Sequence, residues 1–199
     1  MKIKLAALCL LASSSAIAED SSVIAGFNYT KSLSAEATVT FDVSDNEVTE
    51  DLDISTLGLY LGYITKRNNR FTVSYSSATI DFDKSNVSED VTGFDFDWQF
   101  VYGENQVQPY WGIGFGLHTI DDAVVLTGSN LEGDSLSGLS FQLMGGIKIP
   151  VNDLVEFDVS LQRKAYAWQS VDVQAGFVTD TVNLAYVQNA LNFGAGFKF

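Results

Sequence analysis

The chain has 199 residues and is acidic, with 11 lysines and arginines against 25 aspartates and glutamates and a formal net charge of −14 at pH 7. Nucleic-acid binding requires basic patches, so this balance argues against a nucleic-acid partner. No stretch reaches the roughly 18 to 20 continuous apolar residues that a membrane helix requires. If the chain crosses a membrane, strands must do so.

The first 18 residues (1–18) have the features of a secretory signal peptide. Lys2 and Lys4 supply a positively charged start, residues 5–11 an apolar stretch, and the Ala-Ile-Ala of residues 16–18 a small-x-small cleavage site. We therefore expect cleavage after this segment, which leaves residues 19–199 as one mature domain.

The single cysteine, Cys9, lies inside the predicted signal, so disulfides and thiol chemistry are not expected in the mature chain. Removing the two signal lysines leaves 9 basic residues against 25 acidic ones, a formal net charge of about −16. Something other than disulfides must stabilise this secreted domain.

Eight stretches of the mature chain alternate apolar and polar residues with a period of two, which is typical of strands. These stretches are residues 23–30, 53–64, 70–82, 91–103, 107–119, 135–149, 154–168 and 186–199. Long connections follow the first, third, fifth and seventh stretches, and short polar turns follow the second, fourth and sixth. The connections after the third and seventh stretches are residues 83–90 and 169–185. This layout predicts an all-β, eight-stranded antiparallel up-and-down transmembrane β-barrel, since closure leaves no unpaired edge.

The fourth stretch best distinguishes a membrane barrel from a soluble one. Its two faces differ in chemistry, with Phe94, Phe96, Trp98, Phe100 and Tyr102 on one side and Asp95, Asp97 and Gln99 on the other. A membrane barrel presents such an aromatic surface to lipid and keeps a polar interior. The alternative, a soluble lipocalin-like barrel, would have its apolar face inside and its charges outside.

The final stretch ends in bulky aromatic residues on one face, at Phe193, Phe197 and Phe199. It resembles the closing strand of Gram-negative outer-membrane barrels, and the whole mature chain is similar to the OmpA/OmpX and opacity-protein group. The resemblance implies a location in the bacterial outer membrane. It also implies that these phenylalanines form the signal read by the outer-membrane insertion machinery.

An eight-stranded barrel has an interior just wide enough for side chains to fill it. The inward faces of the predicted strands carry charges of both signs, which should pair because an unpaired buried charge is costly. We therefore expect a polar plug. The expected lumen network comprises Arg70, Asp95, Asp97, Gln99, Gln142, Lys148, Glu156, Asp158, Lys164 and Lys198.

Catalysis is weighed because some small outer-membrane barrels act on lipid A. The one histidine, His118, lies near the external end of the fifth strand, close in sequence to Asp121, Asp122, Ser135 and Ser137. A serine, a histidine and an acid could meet there as in a hydrolase. The lipid A deacylase barrels carry a His-x-Ser arrangement, whereas the corresponding position here is Ile120. We interpret His118 as a rim histidine that is hydrogen-bonded to a neighbour, and we expect no catalytic residue.

The acidic first connection, residues 42–53, allows two interpretations. Clustered carboxylates can hold a cation such as calcium. The segment lacks a glycine-punctuated loop spacing, however, so a solvated, repulsive external face fits better, and we expect no metal and no cofactor. Lys31, Lys84 and Arg163 are predicted near the external rim, where they would meet lipopolysaccharide phosphates.

The resemblance implies a non-enzymatic integral outer-membrane barrel that serves membrane integrity, adhesion or surface interaction through four external loops. Its expected partners are outer-membrane lipids, lipopolysaccharide, the insertion machinery and a surface ligand held by the loops. Two alternatives stay open: a lipid A-modifying enzyme, and a narrow OmpW-like channel for small solutes, which would need a continuous lumen.

Overall fold

The computed structural model describes residues 22–42, 46–83, 87–104, 106–121, 135–175 and 178–199. Regular structure in these ranges consists of β1 (Ser22–Phe41), β2 (Asn46–Ile64), β3 (Arg70–Phe82), β4 (Val87–Val101), β5 (Gln108–Ile120), β6 (Leu136–Pro150), β7 (Val155–Trp168), β8 (Val171–Ala175) and β9 (Val178–Lys198). Among the described residues, no helix is long and apolar enough to cross a membrane. The predicted signal, residues 1–18, lies outside the described ranges.

All nine strands form one antiparallel sheet, in which each strand from β1 to β7 pairs with the next along the chain. The sheet closes because β9 pairs with β7 on one side and with β1 on the other. The short strand β8 pairs with the first residues of β9, whereas β7 pairs with β9 from Ala185 onwards. The ring therefore has eight strands around it, which confirms the predicted fold.

The strands extend further than the sequence predicted. Most of the connection predicted at 169–185 is the hairpin of β8 and β9, and half of that at 83–90 belongs to β4, so these segments are not simple loops. The pairing continues because inward residues such as Val171, Val182 and Leu184 stay apolar and are buried. Strand β2 has 19 residues, or roughly 60 Å at about 3.3 Å per residue, which at a tilt of 35–45° exceeds the roughly 25 Å apolar band of such barrels.

Strand β3 shows how the two faces change along the barrel. Its inward residues run from polar to apolar: Arg70, Thr72, Ser74, Ser76, Ala78, Ile80 and Phe82. Its outward residues run the opposite way: Phe71, Val73, Tyr75, Ser77, Thr79 and Asp81. The part of the barrel next to the short turns, called the lower part, therefore has an apolar outer face and a polar interior, as a membrane barrel does. The opposite, upper part has a polar outer face and an apolar interior, as a soluble barrel does.

A β-bulge in β1 reverses which of its residues point inward in the upper part of the barrel. The pairing of β1 with both β2 and β9 shifts by one residue around Leu33, which is 64% exposed. Because side chains alternate with a period of two, the extra residue exchanges the two faces. Ala35 and Ala37 consequently point inward and are buried.

The upper interior is a continuous apolar core, which the sequence analysis did not predict. Its buried members are Ala35, Ala37, Leu52, Ile54, Ala78, Ile80, Phe82, Val91, Ile120, Leu136, Tyr166, Trp168, Val171, Leu184 and Tyr186. Each fully buried large apolar side chain contributes about 1.5–3 kcal/mol. This core lets the strands stay paired above the membrane.

Candidate functional site: the barrel interior

The lower interior contains a buried ion-pair group near the end that carries the short turns. Arg70 donates to Glu156, and the Lys198 ammonium lies 2.8 Å from the other carboxylate oxygen. Arg70 and Glu156 are almost completely buried, while the Lys198 side chain is 20% exposed. Glu156 therefore has two cationic partners, contributed by β3 and β9.

A second ion pair lies between β6 and β7. Lys148 Nζ donates to Asp158 Oδ2 at 2.9 Å, and Tyr110 Oη donates to Oδ1 at 3.1 Å. Asn192 Nδ2 also donates to Oδ1 of the same carboxylate, at 3.0 Å. Since each oxygen of Asp158 accepts at least one hydrogen bond, its buried charge is well compensated.

A third group links β4 to β7 across the interior. Lys164 Nζ donates to Asp95 Oδ1 at 2.6 Å, and Ser76 Oγ donates to Asp95 Oδ2 at 3.3 Å. The Nε2 atom of His118 lies 3.3 Å from the same Asp95 Oδ1. All four side chains are buried.

The remaining predicted lumen residues have less complete partners. Gln142 donates to Asp97, for which the described residues supply no direct cationic partner. Gln99 donates only a long contact to the Met144 sulfur, at 3.7 Å, and its amide oxygen has no hydrogen-bond partner in the described part of the chain. Asp97 and Gln99 both line a small polar cavity of about 40 Å³, enough for a few water molecules.

Glycines on β5 make room for these groups. A Cβ atom at Gly114 would collide with the Asp97 carboxylate, and one at Gly116 would collide with Asp95. Any larger residue at either position would displace a carboxylate that participates in the polar layer. The two glycines thus permit the dense packing of the lower interior.

His118 marks the boundary between the polar layer and the apolar core. Its ring lies 5.1 Å from that of Tyr166, centroid to centroid, in an edge-on arrangement. Tyr166 belongs to the apolar core and also lies beneath the Lys164 ammonium. The core above this boundary was not predicted, because the whole interior was expected to be a polar plug.

The serine that meets His118 is not one of those predicted. Ser140 Oγ lies 2.9 Å from His118 Nε2, whereas Ser135 and Ser137 are exposed on the outside, as is Asp121. His118 is 4% exposed and lies in the interior below the apolar core rather than at the rim, and the predicted hydrogen bond to a neighbour is its contact with Ser140. The predicted neighbour Asp122 lies outside the described residues.

The geometry around His118 differs from that of a catalytic triad. Ser140 and Asp95 both approach Nε2, whereas a triad needs the acid on the other ring nitrogen to orient the base. Tyr166, Lys164 and the barrel wall surround the ring. The arrangement serves packing and charge compensation.

The external rim carries a polar belt above the lipid-facing residues. Lys31 Nζ lies 2.5 Å from a carboxylate oxygen of Asp53, which is on β2 above the apolar band that begins at Leu57. The hydrogen bond from Lys31 holds the pKa of the Asp53 carboxyl below its usual range. Arg163 contacts the Asn189 side chain at 3.5 Å. Lys84 lies outside the described residues.

Among the described residues, no group of three or more His, Cys, Asp or Glu side chains could hold a metal ion.

A closed up-and-down barrel with a lipid-facing apolar band and a charged lower interior defines the class of outer-membrane β-barrels. The chain belongs to the family described as outer membrane protein beta-barrel domain, whose model matches residues 5–199. It is therefore an integral β-barrel of the bacterial outer membrane.

The chain is similar to solved structures at low sequence identity. OprG from Pseudomonas aeruginosa is 13% identical, with 90% of this chain and 96% of that chain covered and a TM-score of 0.55. Neisserial surface protein A is 16% identical (87% and 97% covered, TM-score 0.48), and Ail of Yersinia pestis is 17% identical (90% and 97%, TM-score 0.39). No curated protein sequence matches the chain.

Proposed function

We propose that this protein is a non-enzymatic, non-conducting barrel that serves membrane integrity or surface interaction through its external part. The observation that carries the proposal is the filled interior, where a layer of paired charges lies below an apolar core. Ions and small solutes would have to displace both layers. The upper core also lets the barrel project stably beyond the membrane.

The first test concerns conduction. The purified protein is inserted into planar lipid bilayers at 1 M KCl, with a general porin as the positive control and protein-free detergent as the blank. We expect no discrete conductance steps, because ions would have to displace the buried side chains of both layers. Reproducible steps that require the protein would favour the OmpW-like channel instead.

The second test concerns lipid A modification. Mass spectrometry of lipid A is compared between otherwise identical cells with and without the protein. We expect identical acylation, because His118 and Ser140 are buried inside the barrel. A lost or added acyl chain that also disappears in His118→Ala cells would establish an enzyme.

The third test concerns the projecting surface. Its outward residues are polar, and the acidic ones among them include Glu36, Asp51, Asp53, Asp81 and Asp90. Cells with and without the protein are compared for adhesion to epithelial cells and for resistance to detergents, which report on surface interaction and on membrane integrity. A change in at least one property supports the proposal, and a change in neither contradicts it.

Contact with lipopolysaccharide stays a prediction. It is supported by Lys31 and Arg163, which lie on the outward face at the polar rim. Replacing Lys31, Lys84 and Arg163 by glutamine should reduce the lipopolysaccharide that copurifies with the barrel. Unchanged retention would remove this contact from the proposed partners.

A further inference from the structure

An apolar groove of about 410 Å³ crosses the lipid-facing surface of β3, β4 and β5. It runs between two cross-strand rows of outward side chains. The lower row is Phe71, Trp98 and Ile113, and the upper row is Val73, Phe96, Phe115 and Phe141. Between them lie Thr72, Asp97 and Gly114, which belong to the inward face, so their backbone forms the floor.

The walls of the groove are held in position by ring stacking. Phe71 and Trp98 stack with centroids 5.1 Å apart, and Phe96 and Phe115 stack with centroids 5.2 Å apart. Interplanar angles of 23° and 17° show that both pairs are close to parallel. Because such stacking is favourable, the rings stay aligned along each row and leave the space between the rows open.

The groove rises from the edge of the membrane toward its middle. Thr72 is two residues from the end of β3 that adjoins the short turn, Asp97 is four residues from the corresponding end of β4, and Gly114 is six from that of β5. In outer-membrane barrels the short turns face the periplasm. The low end of the groove therefore opens in the periplasmic leaflet, which consists of phospholipid.

The low end of the groove also lies next to a turn that carries two basic residues. Lys66 and Arg67 are exposed in the turn before β3, and Phe71 is the first outward residue after that turn. The other two short turns carry Glu104 and Asp153 as their only charged residues. In a chain of net charge −14, this pairing of a basic turn with an apolar groove is complementary to an anionic lipid.

We propose that the groove binds one acyl chain of an anionic glycerophospholipid from the periplasmic leaflet, whose phosphate lies at Lys66 and Arg67. The stacked aromatic walls bury the acyl chain. The two cations select the head group by charge. The site is separate from the barrel interior and from the external rim.

The test titrates the full-length mature barrel in detergent with phosphatidylglycerol or phosphatidylcholine of identical acyl chains, and counts bound lipid by native mass spectrometry. We expect retention of about one phosphatidylglycerol, with weaker phosphatidylcholine binding, since a basic residue near an anionic lipid surface contributes about a fivefold preference. The double variant Lys66→Gln/Arg67→Gln should lose this preference. Equal retention of the two lipids by the unaltered protein would overturn the proposal.

A second variant tests the groove itself. Val73→Phe enlarges an outward side chain of the upper row, so that it fills part of the groove, and should abolish retention of phosphatidylglycerol. Leu161→Phe, an equally lipid-facing change on β7, is the matched control and should leave retention unchanged. If Val73→Phe retains lipid as the unaltered protein does, the groove is not the binding site.

A spectroscopic measurement reports on the groove through a residue of its wall. Trp98 lines the groove, so phosphatidylglycerol brominated on its acyl chains should quench the tryptophan fluorescence more strongly than brominated phosphatidylcholine does. Replacing Trp98 by phenylalanine should remove this difference between the two lipids. Equal quenching by both lipids in the unaltered protein would also overturn the proposal.

Discussion

The Lys164 ammonium on β7 lies 2.6 Å from the Asp95 carboxylate on β4, although 69 residues separate them in the chain. Both side chains are buried, and the contact joins two strands that are not neighbours in the sheet. The pair thus ties opposite parts of the wall together through the interior. Its removal is a direct test of the polar layer.

Lys164→Met should reduce the free energy of unfolding by about 3–5 kcal/mol, because it leaves the buried Asp95 carboxylate without its lysine. Urea unfolding in lipid vesicles, followed by tryptophan fluorescence, measures the loss. The double variant Lys164→Met/Asp95→Leu should recover much of it, since both charges are then absent. A single variant as stable as the unaltered protein would show that the pair is not coupled to folding.

The two cations that contact Glu156 should differ in importance. Glu156→Gln should destabilise the barrel by about 3–5 kcal/mol, because it leaves the buried Arg70 uncompensated. Lys198→Gln should cost about 1 kcal/mol or less, since Lys198 is partly exposed and the Arg70 contact survives. The same unfolding assay compares them, and equal losses would contradict the arrangement described.

The apolar core above the membrane predicts different effects for two changes within it. Ile54→Ala removes buried apolar volume and should cost about 2–5 kcal/mol. The Tyr186 hydroxyl has no hydrogen-bond partner among the described residues, so Tyr186→Phe should be neutral or stabilising. A large loss for Tyr186→Phe would mean that the hydroxyl has a partner in the folded barrel.

Two arginine substitutions at different heights test how far the lipid-facing band extends. Leu59→Arg introduces a charge on a lipid-facing position and should destabilise the inserted barrel by about 2–4 kcal/mol. Thr79→Arg, also outward but in the upper part of β3, should be tolerated, because water and Asp90 surround that position. Equal losses would show that the band extends to Thr79.

The C-terminal phenylalanines should act in assembly more than in stability. Phe199 is 79% exposed, so Phe199→Ala should change the free energy of unfolding by less than about 0.5 kcal/mol. Its loss should nevertheless reduce the fraction of barrel inserted in the outer membrane of growing cells, measured by heat-dependent gel mobility. Unchanged insertion for this variant and for Phe193→Ala and Phe197→Ala would exclude the proposed signal.

Alternation with a period of two is a local property, and it was sufficient to predict eight strands, their faces and a closed ring. The inward position of residues such as Arg70 and Lys148 follows from this alternation alone. The same alternation extends to the upper end of β3, where Ala78, Ile80 and Phe82 continue the inward face. These residues were predicted as part of a strand (70–82), whereas the first residues of β4 and β9 were assigned to connections.

The partners of each charge were decided only by the tertiary structure. Parity indicates that Asp95 and Lys164 both point inward, but the stagger of the closed ring determines which inward residues reach the same height. The groove between β3, β4 and β5 has the same origin, since its two rows form only when three strands align. Local sequence therefore determined which face each residue occupies, and closure of the barrel determined what it meets there.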